Sequence, residues 1–172
     1  MNNDMMTAAL AARSTPGVSN RARTWLAAGE VPAGAPLYLG PWHLRPGPLR
    51  DACLLAVAFR RVPQLEGRTV GAVLGRSGLF SGDTARMRLL ALTRQPWPAA
   101  LASLRSVMAV VERGGGGLDF HDLAWVASHW EDPERHFADM RRWARDFTRR
   151  GPAETDRTAI SNTEPDNLKE QQ

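Results

Sequence analysis

The residues best placed to do chemistry in this chain are its arginines: of 22 basic residues only Lys169 is a lysine. A guanidinium stays charged and presents a planar fork of donors that fits phosphate and stacks on bases. Arginines repeated along one surface therefore suit a polyanion. Arg141, Arg145 and Arg149 recur every fourth position, which on a helix sets them on one side, about 6 Å apart. Arg86, Arg88, Arg94 and Arg105 come from two stretches upstream, and packing of those helices against the last one is expected to join all of them into one basic face. The formal charge is +4, but residues 151–172 hold five acids (Glu154, Asp156, Glu164, Asp166, Glu170) against Arg157 and Lys169, so the rest of the chain carries +7. That balance points to nucleic acid or an anionic membrane surface.

Other chemistries lack their parts. The four histidines, His43, His121, His129 and His136, have neither zinc spacing nor cysteine partners, since Cys53 is the only cysteine. Asp119, Asp122, Glu131 and Asp132 could in principle hold a divalent cation, but helix capping explains them more simply. Gly71-x-x-x-Gly75-Arg76-Ser77 lacks the spacing and lysine of a phosphate loop, and Leu79 breaks the serine-nucleophile pattern at Gly75-Arg76-Ser77-Gly78. No catalytic residue, metal site or cofactor is expected. Cys53 sits in the apolar run Ala52–Phe59 and reads as a buried thiol. A lone cysteine suits a reducing cytoplasm. The first residues lack a basic stretch, and Arg13 interrupts the apolar run that follows, so neither a signal peptide nor a membrane span is expected.

Helices must position these arginines, because no strand-like alternation occurs. The expected fold is all-α, a compact helical bundle with two small lobes, residues 1–65 and 66–150, and a disordered tail over 151–172. Turn residues and periodicity predict helices over 4–13, 20–28, 48–62, 69–76, 82–94, 99–113, 120–129 and from Asp132-Pro133-Glu134 to about 150. Residues 29–47 carry Pro32, Pro36, Pro41 and Pro46 and read as a long connection with one helical turn around Leu37-Tyr38-Leu39. In the last helix Phe137, Met140, Ala144 and Phe147 are expected to face the core, and Arg135 to pair with Asp139. Trp125 and Trp143 are expected in the core, whereas Trp42 and Trp97, beside prolines, are candidates for docking on a partner.

Several segments occur in an order that carries a family resemblance. They are Thr69-Val70-Gly71-x-x-Leu74-x-x-Ser77-Gly78, Arg86-Met87-Arg88-Leu89-Leu90, Leu104-Arg105, Leu118-Asp119-Phe120-x-x-Leu123, Trp130 and Arg141-Arg142-Trp143-Ala144-Arg145-Asp146-Phe147. Together they resemble the CasB family, the small subunit of the type I-E CRISPR surveillance complex, Cascade. The likeness runs through about residues 66–150 and thins before them. Three positions depart from the family pattern: Ala72 stands where arginine is frequent, Phe120 where tryptophan is, and Ser106 where a second arginine follows Leu-Arg.

The resemblance implies a non-catalytic, dimeric subunit beside the backbone and large subunits of Cascade. It would help hold guide RNA, target strand and displaced strand and so stabilise the R-loop. Arg21, Arg23, Arg50, Arg86, Arg105, Arg141, Arg142 and Arg145 are the nucleic-acid contacts expected on that reading. The alternatives are a stand-alone helical DNA-binding regulator and a small nuclease.

Overall fold

The computed structural model of the chain describes residues 2–31 and 46–149, Asn2 by its backbone alone. The expected helical turn at 37–39, Trp42 and His43, and the tail 151–172 lie outside the described residues. Eight helices run through the described part: α1 (Asn2–Ala12), α2 (Val18–Ala28), α3 (Pro48–Ala58), α4 (Val70–Arg76), α5 (Gly82–Arg94), α6 (Trp97–Arg113), α7 (Phe120–Ser128) and α8 (Pro133–Thr148). Among these residues there is no strand, only an isolated parallel bridge between Gln64 and Leu118.

Local chemistry sets most boundaries. Thr69 accepts the Ala72 amide at the start of α4, Ser81 that of Thr84 at α5, Asp119 that of Asp122 at α7, and Asp132 those of Glu134 and Arg135 at α8. Each side chain satisfies an amide that the first helical turn leaves without a partner. Pro98 lies inside the first turn of α6, so that helix begins at Trp97, earlier than the expected 99. α3 stops at Ala58, short of the expected 62. Its last carbonyls are taken by side chains from α2 and the connection before it: Arg13 donates to Ala56 O, and also to Val62 O just beyond the helix, Ser19 to Ala58 O, and Arg23 to Ala58 O, all at 2.8–2.9 Å.

α3 is the central element. Its residues Ala52 to Ala58 are all buried, and α1, α2, α6 and α7 pack on it. Burial in this run pushes the Cys53 thiol up to about 12, so it stays protonated. Arg13 lies beneath it, its guanidinium 4.4 Å from the centre of the Phe120 ring, and burial lowers its pKa to about 10. It remains a cation at neutral pH. The expected lobe boundary at 65/66 falls in the connection between α3 and α4; α7 packs against α1 and α3, and the buried apolar residues form one cluster.

α4 and α8 pair most closely. Gly71 and Gly75 lie one turn apart on α4, and a Cβ placed on either would fall on the α8 backbone, 2.8 Å from Trp143 Cα at the first and 2.9 Å from Phe147 Cα at the second. The glycines let two helix backbones touch, and the Thr69 hydroxyl donates to Asp146 at 2.8 Å across the same seam.

The inward face of α8 is set by that seam, and it corrects the expected stripe. Met140 and Trp143 are buried and Phe147 partly so, but Phe137 is 64% exposed and Ala144 is exposed. The inward line runs through His136, Asp139, Met140 and Trp143, one residue out of register with the all-apolar reading. Trp97 is buried, its ring edge-on to Trp130 at 5.1 Å and its Nε1 donating to Asp51 at 3.0 Å, and so is not a docking side chain. Trp125 is 53% exposed, not in the core.

Gly71→Ala should lower the unfolding free energy measured in urea by about 3 kcal/mol or more, because the colliding atoms are backbone and cannot repack, whereas overpacking that side chains absorb costs about 1–3 kcal/mol. Gly82→Ala, whose Cβ would meet nothing within 4 Å, should stay within about 1 kcal/mol of the parent.

A second test concerns acid. Burial alone would raise the Asp119 carboxyl, but hydrogen bonds from Gln64 and from the Gly67 and Asp122 amides hold it below the ordinary aspartate value. A depressed folded pKa contributes stability above the unfolded value, about 3.9, and that stability is lost as pH falls through the folded one. Urea midpoints measured from pH 5 downward should therefore fall less steeply in Asp119→Asn than in the parent.

Candidate nucleic-acid interface

The arginines expected to contact nucleic acid divide by what already holds them. Arg142 donates to Asp122 on α7 and, at 3.1 Å, to Asp139 one turn back on α8. Asp122 also accepts Trp143 Nε1 at 2.8 Å. Burial would lower the pKa of Arg142, but the two carboxylates more than compensate and raise it above its ordinary value. Arg142 thus fastens α8 to α7. Asp139 faces Arg142, and the expected Arg135–Asp139 pair is replaced by Arg135 with Asp132 at 3.5 Å.

Three more are similarly engaged. Arg23 forks onto both Glu112 oxygens at 2.9 and 3.0 Å, reaches Ala58 O and lies 5.2 Å from the Phe59 ring centre, tying α2 to α3 and α6. Arg50 donates through two nitrogens to its neighbour Asp51. Arg105 reaches Leu26 O at 3.3 Å, from α6 to the end of α2. Arg21 is exposed on α2 and also engaged.

Arg86, Arg141 and Arg145 are exposed, as are Arg94 and Arg149. Among the described residues no carboxylate lies in ion-pair range of Arg86, Arg141, Arg145 or Arg149. Arg141 lies 5.8 Å from the ring centre of Phe137, so the exposed phenyl and the guanidinium form one amphipathic patch on the outer side of α8. α5 touches α8 and carries Arg86, which is exposed, and Arg88. Arg88 itself is half-buried, donating to Ser106 Oγ at 3.0 Å and lying 5.6 Å from the Phe80 ring centre. The continuous face expected from α5, α6 and α8 is therefore interrupted. Arg105 turns to α2 and Arg88 to Ser106, which leaves Arg141, Arg145 and Arg149 as one row of exposed cations on the outer side of α8, with Arg86 and Arg94 exposed on α5.

Three of the four carboxylates considered for a cation have other work, and the fourth, Glu131, is exposed. Asp119 and Asp132 cap helices, and Asp122 holds Arg142 and Trp143. No group of three or more His, Cys, Asp or Glu converges among the described residues, and none of the described helices is long and apolar enough to cross a membrane.

A sequence model described as CRISPR-associated protein Cse2 matches residues 8–147. The chain belongs to the Cse2 family. The crystal structure of CasB from Thermus thermophilus is similar to it, with 25% identity and a TM-score of 0.64 over 85% of this chain and 96% of that one. A second crystal structure from Thermus thermophilus, of a CRISPR-associated protein of the Cse2 family, has the same fold, with 24% identity and a TM-score of 0.62 over the same shares. No curated protein matches the chain. The family expected from the ordered motifs is thus the family found, and the fold is all-α as expected.

Seen as a Cse2 protein, the three departures acquire physical meaning. Ala72 is fully buried in the α4 seam, so that position makes no outward contact here. Phe120 is fully buried under Arg13, so the ring there serves the core. Ser106 receives the Arg88 guanidinium instead of supplying a charge of its own. The Cse2 match ends at residue 147, which leaves Arg149 and all that follows outside it.

Sequence reasoning missed Arg13, whose only signal was an arginine interrupting an apolar run. It also treated adjacent Arg141 and Arg142 alike, although Asp139, three residues before Arg142, was a visible partner. Arg142→Ala strands two carboxylates and should cost about 1–3 kcal/mol in urea unfolding, below the cost of breaking a fully buried pair because Arg142 is partly exposed. Arg141→Ala and Arg145→Ala should each stay within about 0.5 kcal/mol.

Proposed function

We propose that this Cse2 chain is the small, non-catalytic subunit of a type I-E Cascade complex, working as a pair beside the backbone and large subunits. Its role on this reading is electrostatic. The outer row of α8, together with the exposed Arg86 of α5, lies against the phosphates of guide RNA, target strand or displaced strand and stabilises the R-loop. Exchange of a DNA duplex for an RNA–DNA heteroduplex is nearly balanced in free energy, so modest backbone contacts suffice to tip it.

The observation that carries this reading is the sorting of the arginines. Arg23, Arg50, Arg105 and Arg142 are held by carboxylates or carbonyls within the fold, and we assign them to positioning. Arg141 and Arg145 are exposed with no carboxylate partner among the described residues, and we assign them to phosphate contact. Such a surface reads shape and charge, while guide pairing reads sequence. The location on this reading is the cytoplasm, where the complex meets invading DNA.

A stand-alone DNA-binding regulator fits less well, because α6, which would have to lie in a groove, buries Ala100, Leu104, Val107, Met108 and Val111. For a nuclease, three of the four acids that would bind its metal ion are occupied by caps and by Arg142, and Glu131 alone does not make a site.

The chain expressed in a host carrying the other Cascade genes should co-purify with them and with a guide RNA; recovery of the free chain alone would overturn the assignment. In the assembled complex, the double substitution Arg141→Ala and Arg145→Ala should leave assembly intact and weaken R-loop formation. The slope of log affinity against log salt should become shallower by about 1.4–1.8, the sum for two phosphates. An unchanged slope would remove these two arginines from the interface.

A further inference from the structure

We infer that the acidic segment 151–172 docks on the arginine row of α8 and occupies it when no nucleic acid is bound. This is regulation of the surface assigned above, and its competitive arm rests on that assignment. The first support is charge. The segment carries −3 against +7 for the rest of the chain, and the exposed cations nearest its origin, Arg145 and Arg149, have no carboxylate partner among the described residues. The second is reach. Arg149 and Arg141 are about 12 Å apart along the helix, and Glu154, five residues beyond Arg149, can travel up to about 17 Å. The first two acids, Glu154 and Asp156, can therefore turn back along the row without moving any helix.

The third support is the chemistry of the patch. Phe137 is 64% exposed beside Arg141, which offers an apolar contact to Ile160 or Leu168, the large aliphatic residues of the segment. A tethered anion is presented at an effective concentration on the order of millimolar, so weak pairs suffice to fill the row and yet yield to a strand bearing many phosphates. The family match ends at residue 147, which makes this device a property of this chain rather than of the shared fold.

The test uses the full chain and a full-length variant with Glu154→Gln, Asp156→Asn, Glu164→Gln, Asp166→Asn and Glu170→Gln. Cys53 is buried, so a nitroxide attached through Ser161→Cys labels the segment selectively. At low salt the label should broaden the amide resonances of residues 137–145 in the acidic chain, and the broadening should fall both in the neutral variant and on raising salt to about 500 mM, where the screening length is only a few ångströms. Equal broadening from acidic and neutral segments would overturn the inference.

Binding of a fluorescent single strand of about 20 nucleotides, measured in parallel, should be about tenfold tighter for the neutral variant at low salt, with the two chains converging as salt rises. Docking seen by broadening while neither chain binds the strand would leave the inference standing and sink the nucleic-acid reading. Equal binding by both chains without salt-dependent broadening would do the reverse.

Discussion

The contact on which the rest of the structure depends is the one between the α4 and α8 backbones at Gly71 and Gly75. Helices that touch through side chains have their axes held apart by those side chains; here nothing intervenes, and the approach is fixed by the peptide groups themselves. Because α4 is only seven residues long, it cannot hold its place by its own helical stability. It is kept there by the fit against Trp143 and Phe147 and by the Thr69–Asp146 hydrogen bond. That fit rotates α8, and the rotation decides which of its residues face inward. Met140 and Trp143 turn to the core, Arg142 to the α7 carboxylate, and Arg141 and Arg145 to the outside.

The same logic explains how one residue type serves two purposes. An arginine beside a carboxylate or a helix end becomes a fastener; one without such a neighbour stays available to an external anion. Arg13, Arg23 and Arg142 belong to the first group and knit α1, α2 and α8 to the helices they cover. The number of arginines therefore overstates the number available to a ligand, and the net +7, which already subtracts the paired carboxylates, is carried by the smaller set left exposed.

Local signals in the sequence were strong enough to identify α5 to the residue, because Ser81 and the Gln95-Pro96 stop bracket it, and to separate eight helices in the right order. What escaped was decided by partners distant in sequence. The end of α3 moved to Ala58 because Arg13, Ser19 and Arg23 collect its carbonyls. The α8 stripe slipped by one residue because His136 and Asp139 share its inner face, and a reading that counts only apolar residues passes over them. Trp125 lies opposite the buried face of α7, made of Phe120, Leu123, Ala124, Val126 and Ala127, a spacing that could have been read from the sequence, so its exposure was legible. The site was legible in type and general position; the choice between Arg141 and Arg142 needed the third dimension to bring Asp122 up from α7. Gly71 and Gly75, set aside as a failed phosphate loop, were the plainest sign of close helix packing.

Arg13 has one more consequence, in time rather than space. Its guanidinium grips the end of α3, some 45 residues later in the chain, and is covered by Phe120, 107 residues later. At a synthesis rate of about 5–20 residues per second, that covering ring leaves the ribosome about 5–20 seconds after Arg13 does. Met6 and Ala9 of α1, both fully buried in the finished protein, wait through the same interval for α7. The first helix is thus made early and covered late, and the nascent chain keeps part of its apolar surface open until α7 emerges.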